Sequence, residues 1–126
     1  MNRNVIHTDD APKAIGPYSQ AIRVGDLVYT AGQVSIVPAT GDLIAGDIEA
    51  QTRQALNNLK AVLEAAGSGL DKVVKTTVFM TNLGDFTRMN GVYAEFFPSQ
   101  PPARSTVQVA ALPKGAMVEI ECVAVV

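Results

Sequence analysis

The residues of this sequence best suited to chemistry lie on its last two predicted strands, residues 103–109 and 117–126. Because side chains alternate along a strand, Glu119 and Glu121 share one face of the second strand. A hairpin that aligns the polar faces would place Arg104 opposite or diagonal to one of these glutamates, within side-chain reach. An arginine can grip a planar carboxylate through two hydrogen bonds, and a nearby glutamate can position a water. Spacing alone favours the other interpretation, a structural ion pair.

A second candidate is the turn that precedes the second predicted strand. Gly16 and Pro17 fix the backbone just ahead of Tyr18, so its phenol is aimed in a defined direction. A half-buried tyrosine on a surface turn explains the same pattern equally well.

Several kinds of catalytic centre are disfavoured by what the sequence contains. His7 is the single histidine and lies near the N-terminus, where it is poorly placed for a catalytic dyad or triad. Cys122 is the single cysteine, and it alternates with Val118 and Ile120, as a small apolar side chain facing a core would. No zinc or calcium spacing and no phosphate-binding glycine loop is present. The sequence therefore predicts chemistry without a metal or a cofactor.

Composition and charge restrict the class of protein. With 126 residues, 48% hydrophobic and 17% charged, the chain is expected to form one globular domain spanning residues 1–126. Its net charge of -2 and its scattered lysines and arginines argue against a nucleic-acid partner. No apolar run approaches the ~18 residues of a membrane span. A lone cysteine suits a reducing compartment, so we expect a cytoplasmic protein with no membrane partner.

The elements that must position these residues follow from periodicity and turn signals. A helix is predicted between an Asp47 cap and Gly67, and a second helix over residues 86–97, before Pro98. The predicted strands cover residues 5–7, 19–24, 27–33, 72–80, 103–109 and 117–126. The order is β-β-β-α-β-α-β-β, which indicates an α/β (α+β) domain with a mixed six-strand sheet and two helices on one face.

Two helices can cover only one face of a six-strand sheet. That layer cannot cover all seven of the following apolar or β-branched strand positions: Val28, Thr30, Val74, Val78, Met117, Val123 and Val125. A closed, symmetric homo-oligomer is the simplest cover for the second face.

Several stretches of the chain, taken in order and at their observed spacing, resemble the RidA/YjgF family of imine deaminases. They are residues 14–21 (AIGPYSQA), 31–33 (AGQ), 49–67, 73–79 (VVKTTVF), 101–106 (PPARST), 112–115 (LPKG) and 118–121 (VEIE). The resemblance covers nearly the whole chain.

The resemblance implies a chorismate-mutase-like fold and a homotrimer whose sheets form a central barrel, with three sites in clefts between subunits. It implies hydrolysis of reactive 2-imino acids, formed from enamines such as 2-aminoacrylate, to 2-oxo acids and ammonia without a cofactor. In that family, Arg104 matches the arginine that binds the substrate carboxylate, and Glu119 matches the glutamate that positions water. Four further site positions are matched by Tyr18, Asn90, Gly32 and Thr106.

Three residues depart from the family pattern. Ala31 stands where many relatives have serine, Thr106 where some have cysteine, and Ala111 where an arginine is frequent. The first two bear on substrate preference more than on reaction type. Two other functions are compatible with the resemblance: a 2-oxo-acid-binding sensor that uses the same cleft without turnover, and a ribonuclease or translation inhibitor, which the negative net charge disfavours.

Overall fold

A computed structural model of the chain describes residues 2–126 and confirms the predicted order of elements. The strands are β1 (Arg3–Ile6), β2 (Ala21–Val24), β3 (Leu27–Thr30), β4 (Val73–Met80), β5 (Ala103–Gln108) and β6 (Val118–Val125), and the helices are α1 (Ile48–Ala65) and α2 (Phe86–Phe96). Strand β3 ends earlier than predicted, and residues 31–36 continue outside the strand. Short 3₁₀ turns precede β4, α2 and β6.

Helix α1 forms where its cap and its apolar stripe predict it. The Asp47 carboxylate accepts a hydrogen bond from the backbone N–H of Ala50 at 3.0 Å, which satisfies one of the free donors of the first turn. After the helix ends, Gly67 adopts a positive φ of 84°, a conformation that costs little only for glycine. The stripe, from Ile48 to Leu63, is buried against the sheet.

Helix α2 packs against α1 on the same side of the sheet, and it ends at Phe96, just before Pro98. Exposed ion pairs join the two helices: Arg53 with Glu95, and Arg88 with Asp47 and Glu49. These ion pairs therefore link α2 to α1 at the surface of the helix layer.

The six strands form one mixed sheet in the order β1-β2-β3-β6-β4-β5. Only β4 and β5 pair in parallel, through the crossover that contains α2. The predicted hairpin between the last two strands is wrong, because β4 lies between β5 and β6. Alternate residues of β6 are fully or almost fully buried, so this apolar strand takes a central position, whereas the polar β5 occupies the edge.

One face of the sheet carries both helices, and the other carries none. Val28 and Val78 are fully buried under the helices and Thr30 lies on the same side, whereas Val123 lies on the other face, so the seven positions do not all sit under the helices, as the sequence predicted. The uncovered face exposes Tyr29, at 47%, and Val107, at 42%. Other large apolar side chains exposed on this face include Val5, Leu27 and Val125.

Within residues 2–126, none of the helices combines the length and the apolar character that crossing a membrane requires.

Candidate active site

Arg104 lies on the edge strand β5, on the face of the sheet that carries the helices. In the parallel ladder it is paired with Thr76 of β4, a residue that is fully buried. The Arg104 guanidinium carbon is 4.7 Å from the ring centroid of Tyr93 and 5.4 Å from that of Phe86, and both rings belong to α2. These distances are those of cation–π contacts. Aromatic faces thus hold the guanidinium in place.

The guanidinium N–H groups of Arg104 make no hydrogen bond within residues 2–126. Among residues 2–126 it has no hydrogen-bond or ion-pair partner, whereas Arg53 and Arg88 both pair with carboxylates. An aromatic face satisfies the positive charge without occupying the five N–H donors of the guanidinium. The residue is half-buried, so an anion that reached these donors would bind in a partly desolvated environment.

Tyr93 was missed by the sequence analysis. Its hydroxyl is 2.8 Å from Oγ1 of Thr76, and its ring lies 4.7 Å from that of Phe97. Burial is the main reason that the pKa of Tyr93 is raised above its ordinary value. Its position seven residues, or two helical turns, after Phe86 places both rings on one face of α2, but that spacing does not indicate that Arg104 lies beside them.

A cleft of about 460 Å³ opens beside Arg104. Its lining is mostly apolar and is completed by Asn90, Tyr93, Ala94, Phe97, Pro101 and Pro102. Among residues 2–126, two buried side-chain oxygens lack a hydrogen-bond partner: Oδ1 of Asn90, in this cleft, and Oγ1 of Thr106, on the same face of β5 as Arg104. Three of the predicted site residues are therefore gathered on this side of the sheet, and we name this region the Arg104 cleft.

The other three predicted residues meet elsewhere. Tyr18, Gly32 and Glu119 line a separate cavity of about 290 Å³, which we name the Glu119 pocket. Gly32 lies directly against the Glu119 side chain, since a Cβ at this position would lie 2.6 Å from Cδ of Glu119 and would displace that side chain. The Tyr18 ring is half exposed, and its hydroxyl accepts a hydrogen bond from the backbone N–H of Ile15 at 3.3 Å.

The electrostatics of the Glu119 pocket favour a basic carboxylate. Burial raises the pKa of Glu119 above its ordinary value, and the charge of Glu121 on the same strand face raises it further. An ordinary glutamate is a weak base near neutral pH, so a carboxylate with a raised pKa is better suited to accept a proton there.

The two regions do not meet within one chain. Arg104 pairs with Thr76 and Glu119 pairs with Phe79, three residues further along β4, and β4 separates their strands. At ordinary strand dimensions their backbones are therefore about 10 Å apart across the sheet and about 10 Å apart along it. Their side chains also lie on opposite faces, so the predicted contact between Arg104 and Glu119 or Glu121 is wrong.

Comparisons with known proteins decide the family. The family model described as Endoribonuclease L-PSP matches residues 8–126. A RutC family protein of Pyrococcus horikoshii is 52% identical over 122 residues, which are 97% of each chain. The human 2-iminobutanoate/2-iminopropanoate deaminase is 47% identical over 98% of this chain and 90% of its own. The crystal structure of Escherichia coli TdcF with bound serine, 45% identical, superimposes with a TM-score of 0.93 over 98% of each chain.

The chain belongs to the RidA/YjgF family. The resemblance stated from the sequence is thereby confirmed, as is the mixed six-strand fold that it implied.

The departures from the RidA/YjgF pattern fall in different places. Ala31 lines the Glu119 pocket, so a methyl group occupies the site of a possible hydroxyl contact. Thr106 lies beside the Arg104 cleft with its buried hydroxyl unpartnered among residues 2–126. Ala111 is exposed and lines neither region. Two of the three therefore lie in or beside the two regions of the candidate site.

The single histidine and the single cysteine of this RidA/YjgF chain lie outside both regions. His7 is exposed, 3.1 Å from Asp9. Cys122 faces the helices, as its alternation predicted, and it lies beside the Thr30 hydroxyl. Burial raises the pKa of its thiol to about 12. Neither side chain lines the Arg104 cleft or the Glu119 pocket.

Proposed function

We propose that the chain hydrolyses 2-imino acids, formed from enamines such as 2-aminoacrylate, to 2-oxo acids and ammonia. The observation that carries this proposal is the half-buried guanidinium of Arg104, whose donors have no partner among residues 2–126. A carboxylate matches this guanidinium in charge and in hydrogen-bond geometry. The name of the human relative, 2-iminobutanoate/2-iminopropanoate deaminase, supports the same substrate class.

The reacting groups are brought together between subunits of a homotrimer. Arg104, Asn90 and Thr106 of one subunit face Tyr18, Gly32 and Glu119 of its neighbour, across three equivalent clefts around a central barrel. Two observations support this arrangement: the two sets lie on opposite faces of one chain, and the uncovered face exposes large apolar side chains. A closed ring of three copies would cover that face and complete each site.

In the proposed reaction, Arg104 binds the carboxylate, a charge-assisted contact of roughly 1.5–3 kcal/mol. A water held by Glu119 attacks the imine carbon, forming a C–O bond while the π electrons move to nitrogen. Glu119 accepts a proton from the water and returns it to the nitrogen, which gives a carbinolamine. The hydroxyl proton of this intermediate then passes through Glu119 to the nitrogen while the C–N bond breaks and the C=O bond forms, so that ammonia and the 2-oxo acid leave. The raised pKa of Glu119 brings the base nearer to the working pH and so favours the proton transfer.

Turnover is tested by generating imino acids in the assay mixture itself. An amino-acid oxidase acting on alanine or 2-aminobutanoate supplies the imine, and semicarbazide trapping measures how much remains. We expect this protein to speed the loss of imine in proportion to its concentration. A rate equal to that of the oxidase reaction alone would contradict the proposed function.

The shared site is tested by complementation. Arg104→Ala and Glu119→Gln are each expected to be inactive, but a mixed trimer contains some interfaces with one intact Arg104 and one intact Glu119. Co-expression of the two variants should therefore restore activity, and light scattering on a sizing column should give three times the monomer mass. No recovery in verified mixed trimers would place both residues in one subunit's site and contradict the arrangement.

A second candidate function is binding of a small amino or oxo acid without turnover. It is favoured by the relative TdcF, whose crystal structure holds serine. The same Arg104 cleft would serve a sensor, so calorimetric binding of 2-oxobutanoate together with a null result in the imine assay would select this function.

A further inference from the structure

The wall of the Glu119 pocket is built by a segment that belongs to no strand. Residues 31–36 follow β3, and Ala31, Gly32, Val34 and Ile36 of this segment line the pocket. Gln33 pairs with the sheet through a two-way backbone bridge to Ile120, with N···O distances of 2.9 and 3.0 Å. Further backbone hydrogen bonds run from Ala31 to Gln20 and from Ile44 to Ser35, but none of these engages the carbonyl oxygens of Val34 and Ile36.

Asn58 of α1 supplies two of these contacts. It is 1% exposed, and its Nδ2 donates to the carbonyl oxygens of Val34 at 3.0 Å and Ile36 at 2.8 Å. Its Oδ1 accepts from Nε2 of Gln54 at 2.9 Å, which fixes the orientation of the amide. Two backbone carbonyls that no strand partner satisfies are thus satisfied by one side chain.

Gln51, two helical turns before Asn58, links the segment to the strand that carries Glu119. It is 5% exposed, and its Oε1 accepts from Oγ of Ser35 at 3.1 Å and from the backbone N–H of Met117 at 2.9 Å. Met117 is the residue before β6. A single buried oxygen therefore joins the two pieces of chain that bring Gly32 and Glu119 together.

These amides occupy the face of α1 that otherwise packs as apolar core. Burying an amide is unfavourable unless its hydrogen bonds are made, and apolar residues of the same size would fill the space equally well. What the amides add is direction, since these bonds fix the carbonyl oxygens of Val34 and Ile36, the hydroxyl of Ser35 and the backbone N–H of Met117. The close contact between Gly32 and the Glu119 carboxylate depends on that placement.

We propose that Gln51 and Asn58 are positioning residues for the proposed hydrolysis, because they hold residues 31–36 and the start of β6 so that Gly32 stays against the Glu119 side chain. The inference rests on the proposed function for its kinetic consequence, but the geometry that it assigns is independent of turnover. Glu121 on the same strand face and the phenol of Tyr18 are the other titratable groups at this pocket.

The principal test compares Gln51→Met with Thr52→Val. Gln51→Met keeps the length and apolar stem of the side chain but loses both accepted bonds. Thr52 is also fully buried on α1, but its hydroxyl donates only within the helix, to the carbonyl of Ile48 at 2.7 Å. Thr52→Val therefore removes a buried hydrogen bond without touching the pocket wall.

We expect Gln51→Met to lower kcat by about tenfold and to leave the affinity for 2-oxobutanoate, which Arg104 holds, within about twofold. We also expect the acidic limb of the kcat–pH profile to move to lower pH, because a displaced wall exposes Glu119 to water. Thr52→Val should leave kcat and the acidic limb unchanged. If the two variants lose similar thermal stability and share wild-type kinetics, the network is merely structural and the inference is wrong.

A direct titration separates this inference from the proposed function. Carbon-13 NMR of the Glu119 carboxyl should show a lower pKa in Gln51→Met than in the wild type, whether or not the protein turns over imines. Ser35→Ala, which removes one of the two bonds to Gln51, is the milder variant if Gln51→Met does not fold, and it should shift the titration in the same direction. An unshifted Glu119 titration in the folded variants would overturn the inference, even where the imine assay succeeds.

Discussion

The Arg104 cleft and the Glu119 pocket hold their central charged groups by opposite means. Two aromatic rings of α2 contact the Arg104 guanidinium, and its side-chain N–H groups make no hydrogen bond to another residue among 2–126. A glycine packs against Glu119, and a network of buried amides fixes that glycine's segment. The first arrangement leaves a cation free to bind an anion, and the second removes water from a carboxylate and makes it a better base. Binding and proton transfer thus require different surroundings.

Loss of Arg104 is expected to have the largest effect. Arg104→Ala removes the cation from the cleft, so affinity for 2-oxobutanoate should fall by roughly tenfold to a hundredfold and kcat/KM should fall by at least as much. Arg104→Lys is the matched variant, since it keeps the charge but loses the planar fork, and it should recover only part of the affinity. Calorimetry and the imine assay provide the measurements. A trimeric Arg104→Ala with wild-type turnover would show that the arginine is structural.

Loss of the Glu119 charge should separate turnover from binding. Glu119→Gln keeps the shape of the side chain but cannot accept the proton, so kcat should fall by about a hundredfold, the lower end of the usual contribution of a general base. Affinity for 2-oxobutanoate should change little, because the proposal assigns the carboxylate contact to Arg104. If affinity and kcat fell together, the division of roles between the two regions would be wrong.

The aromatic support of Arg104 should contribute a smaller amount. Phe86→Leu keeps an apolar side chain but removes the ring face, and the dissociation constant for 2-oxobutanoate should rise by about two- to fivefold, as expected for a partly exposed cation–π contact. Phe86→Tyr retains the face and should bind like the wild type. Equal affinities for the two variants, at comparable melting temperatures, would show that the ring only fills space.

The smallest expected effect concerns stability. The pKa of Glu119 is higher in the folded than in the unfolded chain, so between the two values the folded state binds more protons. The free energy of unfolding therefore falls as the pH rises through this window. Glu119→Gln, which removes the buried charge, should melt at a higher temperature than the wild type at pH 7, and the difference should shrink toward about pH 4. Thermal melts at fixed protein concentration test this, with exposed Glu64→Gln as a control that should show no such trend.

Local patterns predicted the elements well. Asp47, the apolar stripe and Gly67 place α1 within two residues of its observed ends, and Pro98 ends α2 where expected. Capping and backbone preferences act over a few residues, so a single sequence carries them in full. Tyr18, Gly32 and Glu119 are far apart along the chain, so local patterns do not predict that they share a pocket. Only the family resemblance grouped them.

Strand order was not predictable from those patterns. The hairpin between the last two strands failed because neighbours in a sheet are chosen by burial across the whole layer: β6 is apolar enough for the centre, and β5 is polar enough for the edge. Tyr93 was missed for a related reason. Its role arises only when the parallel pairing of β4 with β5 brings Arg104 beside Thr76 and under the helix. Contacts of this kind depend on topology rather than on spacing.

The burial of Cys122 has a consequence for the chemical durability of the protein. With a thiol pKa of about 12, roughly one molecule in a hundred thousand carries the nucleophilic thiolate at pH 7. Electrophiles and peroxides attack thiolates far faster than thiols, and the sulfur is also shielded from them by the core. A protein whose proposed substrates arise from reactive enamines therefore keeps its only cysteine out of reach of alkylation and oxidation.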